Sequence, residues 1–116
     1  MKETGDKMFR EFVYTKPFDK AWEALGLSDD DQRDLEIRLL NDPKAGSVIQ
    51  HTNGARKLRI ELGEHGRRGG ARVVYVDFMK DEHVYLLFCY PKSKIEDLTE
   101  ENKKIIGKLI QKLKQQ

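Results

Sequence analysis

The sequence predicts an α+β domain, in which a curved antiparallel β-sheet carries two N-terminal helices and a C-terminal helix. Apolar residues recur at helical spacing over residues 17–40 and again after residue 99. From Ser47 to Tyr90 they alternate with polar residues, and a glycine-rich segment divides this region as in a β-hairpin. We expect residues 1–116 to form a single domain with one core, as is usual for a chain of 116 residues.

The N-terminal part is predicted to contain a strand and two helices. Residues 9–14 are rich in aromatic and β-branched side chains, which favours the strand. Pro17 opens a short helix that ends at Gly26 and has one apolar face, consisting of Phe18, Ala21, Trp22 and Leu25. Ser28 caps a second helix, which buries Leu35 and Leu39 and stops before the Asn41-Asp42-Pro43 segment. The acidic triplet 29–31 could bind a metal, but its place at the positive end of the helix dipole favours capping.

The rest of the chain is predicted to form the sheet and the last helix. Residues 56–62 form a strand with Leu58, Ile60 and Leu62 toward the core and Lys57, Arg59 and Glu61 on the other face. A hairpin loop over Gly63–Gly70 leads to a strand at 71–78, and the very apolar segment 83–90 should be a central strand covered on both faces. The last helix begins near Thr99 and stacks one set of apolar residues on one side: Ile105, Ile106, Leu109, Ile110 and Leu113.

Positive charge is concentrated on the predicted hairpin. Residues 54–72 contain six Lys or Arg against two acids, a net of +4 within a chain whose total is +2. Residues 1–42 carry seven basic and eleven acidic side chains, a net of −4. Cations on two strands joined by a turn form one fixed surface, which suits a polyanion such as a phosphodiester backbone. A solvated sheet edge whose charges only keep the protein soluble is the alternative.

Several classes of protein are disfavoured by composition and spacing. Neither a membrane span nor a signal peptide is apparent, and a single cysteine fits a reducing compartment, so we expect a cytoplasmic protein. The three histidines and Cys89 have no metal-ligand spacing, and the glycine-rich segment lacks a Walker ending. Cys89 lies in an apolar strand, where an inert thiol is commoner than a nucleophile. We therefore expect neither a metal nor a cofactor.

A set of cations and tyrosines remains as the candidate site. It consists of Arg56, Lys57, Arg59, Arg67, Arg68, Arg72, Tyr75, Tyr90 and Lys92. Such side chains are sufficient for RNA cleavage, because the 2′-OH of the substrate can act as the nucleophile. The protein must then hold the phosphate, accept the proton and stabilise the charge on the phosphorane oxygens. A lysine among cationic neighbours can act as the base, and a tyrosine can stack on a nucleobase or move a proton.

Short motifs in the chain resemble the RelE/ParE superfamily of bacterial toxins, and most closely its HigB-like branch. The resemblance covers roughly residues 9–110 and rests on the order of elements and on six segments: residues 41–50, 52–59, 66–75, 85–87, 90–92 and 97–99. It implies a ribosome-dependent mRNA endonuclease that acts in the 30S decoding site. It also implies neutralisation by a cognate antitoxin, typically a helix-turn-helix DNA-binding protein encoded beside the toxin.

The same resemblance implies roles for individual residues. Lys57 and Arg59 match strand positions that are catalytic lysines in the family, Arg72 matches its phosphate-stabilising arginine, and Lys92 falls near the basic end of the last strand. Arg59 departs from the family's lysine, and an arginine is a poor proton acceptor. No tyrosine follows Tyr90, so Tyr75 or Tyr90 is the candidate substitute for the family's C-terminal catalytic tyrosine.

Two other functions fit the same fold and charge. A ParE-like inhibitor of DNA gyrase would share the fold without being a nuclease, although cations at the catalytic positions disfavour it. A non-catalytic RNA-binding or protein-binding module would keep the basic face without turnover.

Overall fold

The computed structural model describes residues 10–61, 70–92 and 98–115. Within these ranges the chain forms β1 (Glu11–Tyr14), α1 (Lys16–Ala24), α2 (Asp29–Asn41), β2 (Ser47–Val48) and β3 (Arg56–Ile60). It continues with β4 (Ala71–Phe78), β5 (His83–Pro91) and α3 (Glu100–Lys114). The order of the helices and of the four longer strands is the one predicted, and β2 is an additional two-residue strand. The expected hairpin loop lies outside the described residues up to position 69, as do Phe9, Leu62, Arg67 and Arg68.

Capping side chains define where each helix begins. Thr15 accepts a hydrogen bond from the backbone N–H of Phe18, and Pro17 occupies the first turn of α1. Ser28 and Asp31 form a reciprocal capping box at the start of α2, which confirms capping as the role of the acidic triplet. Thr99 and Asn102 form the corresponding box of α3.

The five strands form one mixed sheet in the order β1-β5-β4-β3-β2. The pairs β2–β3, β3–β4 and β4–β5 are antiparallel, as expected. β1 lies parallel to β5, with Phe12 beside Val84 and Tyr14 beside Leu86. This pair departs from the fully antiparallel sheet that the sequence predicts, because β1 pairs with β5, a strand distant in sequence, and not with a neighbour across a hairpin turn.

Helices cover the sheet on both faces and create two apolar clusters. The first cluster joins α1 and α2 to the sheet through Phe18, Trp22, Leu35, Leu39, Leu58, Val73, Tyr75, Val84, Leu86 and Cys89. The second joins α3 to the other face through Val74, Val76, Leu87, Tyr90, Leu98 and Ile110. Neighbouring residues Leu86 and Leu87 are buried in different clusters, as expected for a central strand.

The packing face of α3 differs from the predicted one. Ile110 is fully buried, with Ile106 and Leu113 packed beside it. Gly107 is also buried, and Asn53 donates from Nδ2 to the Gly107 carbonyl at 2.8 Å. Ile105, by contrast, is 60% exposed. The side of α3 that packs on the sheet and on the loop before β3 is therefore the one with Ile106, Gly107, Ile110 and Leu113, and Ile105 lies outside it. No helix of the described ranges is long and apolar enough to cross a membrane.

A buried ion pair holds the end of the sheet together. Arg10 donates from Nε to Asp77 Oδ1 at 2.7 Å, and the two side chains are 6% and 7% exposed. The hydrogen bond that Arg10 donates to Asp77 raises the pKa of Arg10. This pair tethers the segment before β1 to the far end of β4.

Candidate nucleic-acid interface

Three strands bring the predicted catalytic side chains into one row. Arg59 of β3 lies directly opposite Arg72 of β4, and Arg72 lies directly opposite Tyr90 of β5. In the next row, Lys57 faces Val74, which faces Phe88. Directly opposed residues of antiparallel strands share a face and have Cβ atoms about 4.5–5.5 Å apart. Lys57, Arg59, Arg72 and Tyr90 therefore lie together on the α3 face of the sheet.

The Arg59–Arg72 pair is an unusual arrangement for structural residues. Like charges directly opposite each other destabilise a sheet. Arg59 keeps 59% of its side chain exposed, and its Nε lies 3.5 Å from Oε1 of the even more exposed Glu61, a surface pair that stabilises little. Arg38 of α2 donates from Nη1 to the backbone carbonyl of Arg59 at 2.9 Å and so fixes the strand beneath it. Two opposed guanidinium groups on a fixed backbone are well placed to share one anion.

A β-bulge in β5 determines which of its side chains join this row. The register shifts between Val74 and Tyr75, so that Val74 pairs with Phe88 but Tyr75 pairs with Leu86. Strict alternation from Leu86 would turn Phe88 and Tyr90 toward α1 and α2. Leu87 is the extra residue between the two pairs, and it reverses the alternation, so that Phe88 and Tyr90 lie on the α3 face. Bulges of this kind often re-aim side chains at functional sites.

Phe88 lies next to the row of cations, a position that the sequence reasoning did not predict. It is 37% exposed, and its ring stacks on Tyr90 with 6.3 Å between the ring centroids and 27° between the planes. Tyr90 itself is only 2% exposed, so its ring supports Phe88 and does not face solvent. The catalytic role expected for Tyr90 stays a prediction, and in this structure the ring is buried. Strand alternation alone could not have found Phe88, because the bulge is not visible in the sequence pattern.

Tyr75 has a structural position and not the predicted RNA contact. Its side chain is fully buried, and its hydroxyl donates to the Pro43 carbonyl at 2.7 Å and accepts from the Gly46 N–H at 3.0 Å. Burial raises the pKa of Tyr75. The ring leaves no surface for a nucleobase, and we assign it to holding the loop between α2 and β2.

Arg56 helps Tyr75 to hold the loop between α2 and β2. It lies opposite Tyr75 and therefore on the face away from Lys57 and Arg59. Its Nη1 donates to the Gly46 carbonyl at 2.7 Å. Arg56 is thus separated from the row of opposed cations, although its charge adds to the same edge of the sheet.

Lys92 lies at the end of β5 on the side where β4 begins. Its side chain is exposed, and its backbone N–H donates to the Gly70 carbonyl at 3.2 Å. This hydrogen bond keeps the end of β5 next to the start of β4, two residues before Arg72. Arg67 and Arg68 lie outside the described residues, so their contribution stays a prediction.

Other chemistry is disfavoured by the positions of the remaining reactive groups. Cys89 is buried on the face of α1 and α2, and burial raises its pKa to about 12. A thiol with this pKa is a weak nucleophile at neutral pH. Across the three described ranges, no group of three His, Cys, Asp or Glu side chains is arranged to hold a metal ion.

Comparison with solved structures identifies the fold. One match is a free-state structure of the E. coli toxin RelE in which two arginines are replaced by alanine. It has a TM-score of 0.54 and 17% sequence identity, and the match covers 77% of this chain and 90% of that chain. A second is the intact E. coli RelBE toxin–antitoxin complex, with a TM-score of 0.49, 17% identity and coverage of 72% and 95%. No protein-family profile matches the chain. The match to the free RelE structure shows that this chain shares the fold of that protein.

Proposed function

We propose that this protein is an mRNA endonuclease, the toxin of a type II toxin–antitoxin pair, and that it cleaves mRNA in the ribosomal decoding site. The observation that carries the proposal is the pair of opposed arginines, Arg59 and Arg72, on the α3 face of the sheet with Lys57 in the next row. The likeness of the fold to a RelE toxin supports the same reading, as does the resemblance of the sequence motifs to the HigB-like branch.

The geometry suggests a division of roles among the cations. Arg72, beside Tyr90 in the middle of the row, grips the scissile phosphate with its planar fork and stabilises charge on the phosphorane. Arg59 holds the same phosphate from β3, since a guanidinium keeps its proton. Lys57 is the candidate general base, because an amine, unlike a guanidinium, is able to accept a proton in catalysis.

The proposed reaction needs only the RNA and these side chains. The 2′-oxygen attacks the adjacent phosphorus and its proton passes to Lys57, while the bond between phosphorus and the 5′-oxygen breaks. The leaving oxygen takes a proton, for which Lys92 at the end of β5 is the candidate donor. The products are a 2′,3′-cyclic phosphate and a 5′-hydroxyl. DNA lacks the 2′-OH and would be bound without being cut.

Expression of the chain without its antitoxin tests this function in cells. Incorporation of labelled amino acids should collapse before DNA synthesis does, and new mRNA 5′ ends should appear within translated codons. An early DNA-damage response with intact translation would instead indicate gyrase poisoning. Growth arrest with uncut mRNA would favour a non-catalytic binding module.

We further propose an antitoxin with an acidic segment. This segment covers either the sheet face that carries Lys57, Arg59 and Arg72 or the segment 63–70. Residues 43–72 carry seven basic and two acidic side chains, a net of +5, and this excess favours an acidic partner that folds on binding. The association rate should fall as salt is added, because charges at the rim steer the encounter. The double variant Arg67→Glu with Arg68→Glu should associate more slowly. An unchanged rate would indicate that the antitoxin binds elsewhere, either on the acidic surface of α1 and α2 or on α3.

A further inference from the structure

In the described part of the chain, the outer edge of β3 has no neighbouring strand beside Arg59. The Ile49 N–H donates to the Ala55 carbonyl at 2.8 Å, just before β3 begins. Every second residue of an antiparallel ladder turns its N–H and C=O groups toward the same neighbour, so Lys57 and Arg59 also turn theirs toward this edge. β2 begins only at Ser47, which pairs with Lys57. The Arg59 carbonyl therefore points out of the edge of the sheet, one ladder step beyond β2.

A side chain of α2 occupies this open position. Arg38 donates from Nη1 to the Arg59 carbonyl at 2.9 Å. It leaves the last turn of α2 next to Leu35 and Leu39, and the burial of these two leucines fixes the helix on the sheet. A charged donor makes a stronger hydrogen bond than a neutral one. Arg38 thus supplies the donor that an adjacent strand would supply, and it does so from a helix held by the core.

This hydrogen bond acts on a residue that its neighbour repels. Arg59 lies opposite Arg72, and like charges directly opposite each other destabilise a strand pair. Strand side chains stand roughly perpendicular to the sheet, so a displaced β3 backbone carries the Arg59 guanidinium away from the anion that both arginines share. Backbone at an unpaired edge also opens more easily than backbone inside a sheet. The bond from Arg38 therefore opposes the movement that would separate the two cations.

We propose that Arg38 is a positioning residue of the cleavage site, which holds the β3 backbone so that the Arg59 side chain stays opposite Arg72. This inference rests on the proposed nuclease function and adds a residue that acts through Arg59 without touching the RNA. Loss of Arg38 should then slow cleavage within the bound complex and leave formation of the complex unchanged. A cation that bound RNA directly would instead change the affinity and its dependence on salt.

The first test is single-turnover cleavage on programmed ribosomes at increasing concentrations of the protein. Arg38→Met keeps an aliphatic side chain and removes the donor. Because a misplacement of about 1 Å can cost about 100-fold in rate, we expect the maximal rate to fall by about 10- to 100-fold. The half-saturating concentration should not change, at low or at high salt. Arg38→Lys keeps a donor and should restore most of the rate.

The matched control is Arg33→Met on the same helix. Arg33 is 70% exposed and lies 3.7 Å from Asp30 in a surface pair, so this variant should cleave at the wild-type rate. Thermal melting by circular dichroism verifies that each variant folds.

A double-variant cycle tests whether Arg38 acts through Arg59. In an Arg59→Ala background no guanidinium remains to be positioned, so the addition of Arg38→Met should slow cleavage no further. Amide hydrogen exchange tests the restraint on the backbone without any cleavage assay. Arg38→Met should speed exchange at Leu58 and Ile60 of β3 and leave Val84 of β5 unchanged.

The inference is overturned if folded Arg38→Met cleaves like the wild type, or if the rate effects of Arg38→Met and Arg59→Ala multiply. A raised half-saturating concentration with an unchanged maximal rate also overturns it, because Arg38 would then bind the RNA directly. Faster exchange in β3 with an unchanged cleavage rate would limit Arg38 to holding the strand, and the nuclease function would stand. If the wild type leaves the mRNA uncut, the nuclease function itself fails, and the inference fails with it.

Discussion

Replacement of Arg72 by alanine should separate activity from stability. The side chain lies in the middle of the row, between Arg59 of β3 and Tyr90 of β5. In the account above it supplies two parallel hydrogen bonds to the phosphorane. We expect Arg72→Ala to abolish most of the cleavage while the protein stays folded.

The expected magnitudes follow from the geometry. Loss of one preorganised transition-state donor costs about 2.7–4 kcal/mol, which corresponds to about a 100- to 1000-fold lower rate. In the folded state, removal of the cation opposite Arg59 relieves a like-charge contact worth about 0.2–1 kcal/mol. Loss of contacts made by the half-buried aliphatic stem of Arg72 acts in the other direction. The free energy of unfolding should therefore change by less than about 1 kcal/mol.

The assay combines single-turnover cleavage on programmed ribosomes with urea denaturation. Arg33→Ala serves as the matched control, because Arg33 is 70% exposed on α2 and only 3.7 Å from Asp30 in a surface pair. This control should retain both activity and stability. A folded Arg72→Ala protein that cleaves within about threefold of the wild type would refute the phosphate role. A large loss of stability would show that Arg72 is a structural residue.

Three further changes test other parts of the account. Lys57→Arg keeps the charge but removes the group that can deprotonate, so cleavage should fall much further than for Arg59→Lys, which mainly alters geometry. Equal losses on programmed ribosomes would leave both residues electrostatic. Tyr75→Phe should lower the free energy of unfolding by about 1–3 kcal/mol in urea titrations, since the buried Gly46 N–H loses its acceptor. Its cleavage rate per folded molecule should not change, and a lost rate with unchanged stability would return Tyr75 to the site. Cys89 should react with an aromatic disulfide reagent at pH 8 only as the protein unfolds, because burial raises its pKa to about 12; fast reaction in the native state would contradict this.

Local signals predicted the helices and strands well. The Ser28 cap, the alternation of Leu58 and Ile60 with Lys57 and Arg59, and the apolar segment that became β5 each depend on residues close in sequence. This alternation put Lys57 and Arg59 on one face of β3, whereas the structure supplies the register that places Arg59 opposite Arg72. In these cases the spacing of apolar residues within a single helix or strand is enough to predict the structure.

The remaining features depend on contacts between distant residues. The bulge that turns Phe88 and Tyr90 onto the α3 face arises from how β4 and β5 pair, and a pattern of alternating residues contains no sign of it. The burial of Tyr75 depends on a loop some 30 residues earlier in the chain, where Pro43 and Gly46 provide its hydrogen-bond partners. The parallel pairing of β1 likewise depends on its partner β5, a strand much later in the chain.

The central claim is that this sheet face cleaves RNA through the 2′-OH of its own substrate. The most direct measurement replaces the ribose at the mapped cleavage position of an mRNA by 2′-deoxyribose and places that mRNA on ribosomes with the purified protein. The account predicts that cleavage at this position stops, while the unmodified mRNA yields fragments that end in a 2′,3′-cyclic phosphate. Cleavage of the deoxy-substituted mRNA at the same position would contradict it, because the nucleophile would then have to come from water or from the protein.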